Sequence, residues 1–321
     1  MCIRDSSPDG RRIVSGTKFD NAVIMWRTSD GAELWRQYAA EEVERVGWSA
    51  EGQYVAACSE DFKVTVYEAE SGELHRVLQH DRGIDGLTWS HQGLLLATGE
   101  QRTEMADGST EGWIRIFDME TGELVHKMDH GNTVNELFFS RDDQFLLSVG
   151  HGSVRIYRTS DWKLLQTLDP AYHVTFTSGG FSPDARHVFA VGQGGTSRGN
   201  CYLWEWESGK LVKMFNHTGK KIESVCWHPT GQYIAYAGHD PYIYVYRLND
   251  ILDYENDAIR VAHRVWAGDH AEYVSFNADG SFLASAHQNG LIRLWVWIGE
   301  DPALNKTLHN QVKAQQSDAK H

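Results

Sequence analysis

Residues 227–248 read WHPTGQYIAYAGHDPYIYVYRL. The stretch opens on an aromatic, turns at PTG, alternates through YIAYA, turns again at GHDP and alternates through YIYVY. Period-two alternation bounded by Gly, Pro and Asp is the pattern of short antiparallel strands joined by tight turns. The unit recurs as WSAEGQYVAACSEDFKVTVY at 48–67, FSRDDQFLLSVGHGSVRIY at 139–157 and FNADGSFLASAHQNGLIRLW at 276–295. Interrupted copies are WSHQGLLLATG from 89 with WIRIF at 113–117, and FSPDARHVFAVG from 181 with CYLW at 201–204. SPDGRRIVSGTKFDNAVIMW (7–26) is the same unit from its first turn onward.

Two aromatic positions set the period. One precedes the first turn: Trp48, Trp89, Phe139, Phe181, Trp227 and Phe276. The other ends a third strand: Trp26, Tyr67, Phe117, Tyr157, Trp204, Tyr246 and Trp295. A further turn (ESGE at 70–73, ETGE at 120–123, ESGK at 207–210) leads into a fourth strand such as LVHKM or LVKMF. Repeats of roughly 40 to 50 residues with four strands each are the signature of propeller blades. The expectation is an all-β, seven-bladed β-propeller of four-stranded antiparallel blades. The first blade is expected to lack its inner strand, because MCIRDS alternates poorly. Blades are placed at about 1–40, 41–79, 80–129, 130–170, 171–216, 217–267 and 268–311, with a polar tail at 312–321. PALNKTLHN (302–310) reads as the last fourth strand. The weak start suggests a truncated or misjoined piece of a longer protein.

The chain resembles the WD-repeat (beta-transducin-like) family over about residues 7–308. The resemblance rests on the SPDG-type turns, the third-strand aromatics and the acid after them in Tyr67-Glu68, Phe117-Asp118 and Trp204-Glu205. His80 before Trp89 and His130 before Phe139 keep the family's spacing; His217 before Trp227 carries one extra residue. No blade holds the family's full set of His, turn Asp and third-strand Trp.

Composition narrows function. A net charge of −14 argues against nucleic acid, whose binding is driven by Lys and Arg neutralising phosphates, and against an anionic membrane surface. No apolar run reaches the ~20 residues a membrane-spanning helix needs. MCIRDSSPDG lacks a secretion signal's apolar core, so a soluble, cytoplasmic protein is favoured. Cys58, Cys201 and Cys226 read as buried free thiols.

Asp20, Asp61 and Asp240 in second turns, with His80, His130 and His217, are expected to brace turns. His151, His239 and His287 also fall in second turns and read as solvated. No cofactor or metal is expected: histidines on turns of different blades do not converge on one ion, and the acids of EQRTEMADGSTEG (100–112) miss EF-hand spacing, so this stretch reads as a solvated loop that lengthens the blade 3 turn. QGGTSRGN (193–200) runs into a strand, not into the helix start a phosphate cradle requires. NDILDYENDAI (249–259) replaces the short third turn of blade 6 and reads as a brief helical turn.

The resemblance implies a non-enzymatic interaction scaffold that binds partner proteins or peptides on one loop face. That face would gather Trp113, Arg198 and Tyr242 from turns, and Arg82, Tyr172, Lys220 and Lys221 from crossings between blades. Aromatic and Arg side chains dominate binding energy at interfaces. Two alternatives stand. SDGAELW (29–35) resembles the Trp-bearing docking turn of quinone-dependent dehydrogenases, although His75, His126 and Lys213 take the matching place elsewhere. The propeller could also be one module of a longer multidomain protein.

Overall fold

A computed structural model describes residues 2–170, 174–194, 199–216, 219–253, 259–297 and 307–308. Seven four-stranded antiparallel sheets follow one another in chain order. Each runs from an inner strand through two middle strands to an outer one, as in blade 2: Val43–Trp48, Tyr54–Ser59, Lys63–Glu68 and Leu74–Gln79. The first strand of the chain, Cys2–Ser6, lies against the inner strand of blade 7, Ala271–Phe276, which closes the ring.

A lone blade has no cover for either face, so stacking must bury both. Six clusters of buried apolar side chains do this, and each belongs to one consecutive pair of blades. Val14 and Met25 of blade 1 meet Trp48 and Tyr67 of blade 2, and Leu147 and Ile156 of blade 4 meet Phe176 and Trp204 of blade 5. The quoted aromatic stretch is one such layer: Tyr236 and Tyr246 pack towards blade 5, while Tyr233, Ala235 and Val245 pack towards blade 7. Polar straps tie neighbouring rims. Trp35 Nε1 donates to Ala69 O at 3.0 Å. Arg76 donates to Thr121 O at 2.5 Å, and His126 stacks on Trp162 with centroids 5.7 Å apart. The Trp35 position is thus one of several blade-to-blade straps, each built from a different residue.

Four expectations change. Blade 1 has its inner strand, since Cys2–Ser6 pairs antiparallel with Arg12–Thr17. Pairing is made by main-chain N–H and C=O groups, and the inner edge of Arg12–Thr17 demands partners whatever the side-chain alternation. Residues 100–112 form their own small hairpin, Thr103–Glu104 against Thr110–Glu111. Cys226 is half-buried, whereas Cys58 and Cys201 are fully buried. His287 is fully buried at the end of its strand, with Nε2 2.7 Å from Ser285 Oγ. The helical turn of blade 6 is Leu248–Leu252, and Thr307–Leu308 pairs as the fourth strand of blade 7.

Candidate functional site

Six of the inner strands share one irregularity. Each carries a β-bulge near its start, where one residue is skipped in the pairing with the second strand: Glu44, Asp85, Asn135, Thr177, Glu223 and Glu272 in blades 2 to 7. A bulge re-aims the extra residue. All six line one cavity of 460 Å³ at the mouth of the axial channel, on the face bearing the turns between second and third strands. We call this the upper mouth.

Its chemistry is dominated by carboxylates. Glu44, Glu60 and Asp85 present oxygens that lie within 4.8 Å of one another. Lys18 Nζ is paired with Glu44 Oε1. Gln101 Nε2 donates to Glu60 at 2.6 Å and to Asp85 at 3.1 Å. Across the mouth, Glu223 is held by Lys221 at 2.8 Å and by His239 Nε2 at 2.9 Å. Glu272 is 7% exposed and has no hydrogen bond or ion pair among the described residues. Burial raises the Glu44 carboxyl above its ordinary value against the pull of Lys18. Glu60 is raised by burial and then by Asp85, and Glu272 by burial and then by Glu223. Carboxylates strained in this way gain stability when a cation arrives. Three carboxylates could ligate a hard cation, but Lys18 and Gln101 already engage them.

The floor of the mouth is a single side chain. Arg45 of blade 2 crosses the axis, its Nε donating to Asp85 O at 3.2 Å and its Nη2 to Asn135 O at 3.4 Å. Nη1 lies 3.5 Å from Glu136 Oε1, and the guanidinium stands 5.6 Å from the Tyr273 ring centroid.

Of the described residues singled out from sequence, Lys221 and His151 line this mouth, whereas Arg82, Trp113, Lys220 and Tyr242 are not among its lining residues. Arg82 and Trp113 converge on Glu111, Arg82 Nη2 at 3.4 Å and Trp113 Nε1 at 3.2 Å from Oε2, and Lys127 caps the Trp113 ring at 3.9 Å. Lys220 is exposed beside Lys221. Tyr242 is at the outer rim, with Arg264 3.5 Å above its ring and Trp266 at 4.8 Å. Tyr172, Arg198 and His217 lie outside the described residues. Asp20 bonds Thr17 and, at 3.2 Å, Arg36. Asp61 accepts from Lys63 N at 3.1 Å, and Asp240 from Tyr242 N at 3.2 Å and Tyr244 OH at 3.1 Å. His80 and His130 are buried, with Thr98 Oγ1 2.9 Å from His80 Nε2 and Ser148 Oγ 2.9 Å from His130 Nδ1. Blades 1 and 7 instead keep a hydroxyl–Trp pair, Ser15 with Trp26 and Ser285 with Trp295, both at 2.9 Å. Sequence reasoning missed the six bulge residues. The signal available was a polar residue one place after the first apolar residue of the inner strands of blades 2, 3, 4, 6 and 7, and after the second, Phe176, in blade 5.

The chain matches the WD domain, G-beta repeat family at residues 122–158, 209–247 and 263–296. It is 24% identical over 272 residues to COMPASS component SWD3 of Saccharomyces cerevisiae, covering 78% of this chain and 80% of that one. It is 22% identical to THO complex subunit 3 of Arabidopsis thaliana, covering 87% of this chain and 83% of that one. It is also 22% identical to target of rapamycin complex subunit wat1 of Schizosaccharomyces pombe, covering 67% of this chain and 63% of that one. Among solved structures it superposes on Kuenenia stuttgartiensis hydrazine synthase with a TM-score of 0.82 at 14% identity, over 93% of this chain and 95% of that chain. That likeness is one of fold alone. None of the described helices is long and apolar enough to cross a membrane. The matched repeats, the ring of seven blades and these relatives together make the chain a seven-bladed β-propeller that carries WD-domain repeats and is similar to WD-repeat proteins.

Proposed function

We propose that this protein is a non-enzymatic interaction scaffold whose upper mouth receives a partner segment bearing Lys or Arg. Relatives are named as a COMPASS component and as subunits of target of rapamycin and THO complexes, which supports protein partners. The observation carrying the reading is the set of six bulges that turn one polar side chain per blade towards the axis. Four of those six are carboxylates, Glu60 adds a fifth, and the channel below is stopped by Arg45. A mouth shaped in this way accepts a side chain and lets the rest of the segment lie across the surrounding turns, where Arg82, Trp113, Lys220, Lys221 and Tyr242 stand. Charge complementarity steers such encounters and fixes their register.

The test is fluorescence anisotropy with a labelled Gly-Arg-Gly-Lys-Gly peptide. The expected result is saturable binding that weakens about tenfold or more in Glu60→Gln/Asp85→Asn, since each lost charge pair is worth roughly 1 kcal/mol at a half-buried site. Binding should also weaken on acidification, starting at a higher pH than for an exposed glutamate, because the carboxyls of Glu44, Glu60 and Glu272 are all raised. Equal affinity in the double variant would refute the assignment.

A further inference from the structure

The axial channel has a second end. Arg45 and Tyr273 divide it: Arg45 lines the upper mouth, Tyr273 lines a lower chamber of 440 Å³, and the two are in cation–π contact. Two residues beyond the Arg45–Glu136 layer, the inner strands contribute Phe138 and Cys226 to the chamber, joined by Trp227. All three and Tyr273 are half-buried, so apolar surface remains open to a ligand. Trp227 has its indole N–H satisfied by Gly180 O at 3.1 Å, and it therefore offers only its ring.

The charge here has the opposite sign to that above. The chamber is lined by no Asp, Glu or Lys among the described residues; its one guanidinium is that of Arg141, with the His91 imidazole also in the wall. The nearby Asp143 carboxylate is committed to blade 3, accepting from His91 N at 2.8 Å and Gln92 N at 2.9 Å, with His91 Nδ1 3.0 Å away. Arg141 is exposed and makes no ion pair or hydrogen bond among the described residues. An apolar blind chamber with an uncommitted guanidinium at its lip is complementary to one kind of occupant. We propose that the lower chamber binds a partner segment carrying an aromatic residue flanked by carboxylates, the ring entering beside Phe138 and Trp227 and a carboxylate pairing with Arg141. Arg–carboxylate pairs form two parallel hydrogen bonds and so fix orientation as well as adding affinity. The two ends of one channel would then select segments of opposite charge, each without blocking the other.

The probe is a labelled peptide, acetyl-Asp-Asp-Phe-Asp-amide, titrated against the full chain, with sedimentation velocity run in parallel. Expected are saturable binding, a loss of about tenfold or more in Arg141→Glu, and a similar loss when Phe is replaced by Ala or the Asp residues by Asn. Ser275→Leu, which fills the chamber from its wall, should abolish binding while its circular-dichroism melt stays like that of the wild type. If that variant misfolds, Arg141→Glu and the peptide replacements carry the test alone. Glu60→Gln/Asp85→Asn should leave this peptide's affinity unchanged. No saturation at millimolar peptide, equal binding of the Asn peptide, or concentration-dependent self-association that the peptide competes away would each overturn the proposal.

Discussion

At the level of single residues, the first turn of each blade shows what one backbone angle decides. Gly10, Gly52 and Gly93 take left-handed φ values of 67°, 72° and 72° there. Blades 4 and 5 put Asp143 and Ala185 at the same place, with φ of 57° and 54°. Asp143 has compensation, because its carboxylate caps the backbone of His91 and Gln92 in the blade before. Ala185 has none: its methyl group adds only the strain of a Cβ in the left-handed region, which is ~1–2 kcal/mol per residue. Ala185→Gly should therefore stabilise the protein by about 0.5–1 kcal/mol once the extra unfolded-chain entropy of glycine is subtracted. A urea midpoint that moves down would show that Ala185 is not strained. The SPDG-like motif made the turn legible in sequence, but the handedness needed at its fourth place was legible only where Gly stood there.

At the level of the strand and blade, alternation revealed which segments pair and which faces are buried, because both follow from a period of two. It did not reveal Cys2–Ser6, whose pairing is a main-chain matter, nor the bulges, which rotate one residue without altering the composition around it. Blade 3 hides a third feature. Glu100 and Arg115 come from adjacent strands, and Arg115 Nε lies 2.7 Å from a carboxylate that is wholly buried. In sequence they are an ordinary acid at a strand end and an Arg in WIRIF. Removing one partner of such a pair strands the other charge, at ~3–5 kcal/mol, whereas replacing both with neutral groups of similar shape is often close to neutral. Arg115→Met should cost about that much in chemical denaturation, and Glu100→Gln/Arg115→Met should recover most of it. If the double variant is as damaged as the single one, the loss comes from packing instead.

At the level of the whole molecule, the ring collects into one place residues that the chain keeps some 40 to 50 positions apart. The upper mouth was for that reason illegible from sequence: its members share no motif, and only the closed circle brings Glu44, Asp85 and Glu272 around one axis. The same closure sets how the protein responds to acid. Burial pushes His80 down to about 4 and His130 to about 3, so both stay neutral in the folded ring, while an unfolded histidine titrates at 6.5. The unfolded chain therefore binds more protons throughout that interval, and stability must fall as pH drops below about 6.5. Above it, the contribution of both histidines is fully present. By pH 5 each should have withdrawn about 2 kcal/mol, one pKa unit being worth 1.36 kcal/mol. The two sit in neighbouring blades, bonded to Thr98 and Ser148 respectively, and share no hydrogen-bond partner, so their effects should add. The measurement is urea unfolding at pH 7 and pH 5 for the wild type and for His80→Gln, His130→Gln and the double variant. An amide keeps a hydrogen bond to the neighbouring hydroxyl but takes up no proton. Each substitution should lower stability at pH 7 yet flatten the decline to pH 5 by about 2 kcal/mol, and the double variant by about twice that. A decline as steep in the double variant as in the wild type would mean that the acid sensitivity resides in other histidines lowered by burial, such as His228 and His263, because the raised carboxyls of the mouth take up protons more readily in the folded chain and would oppose the decline.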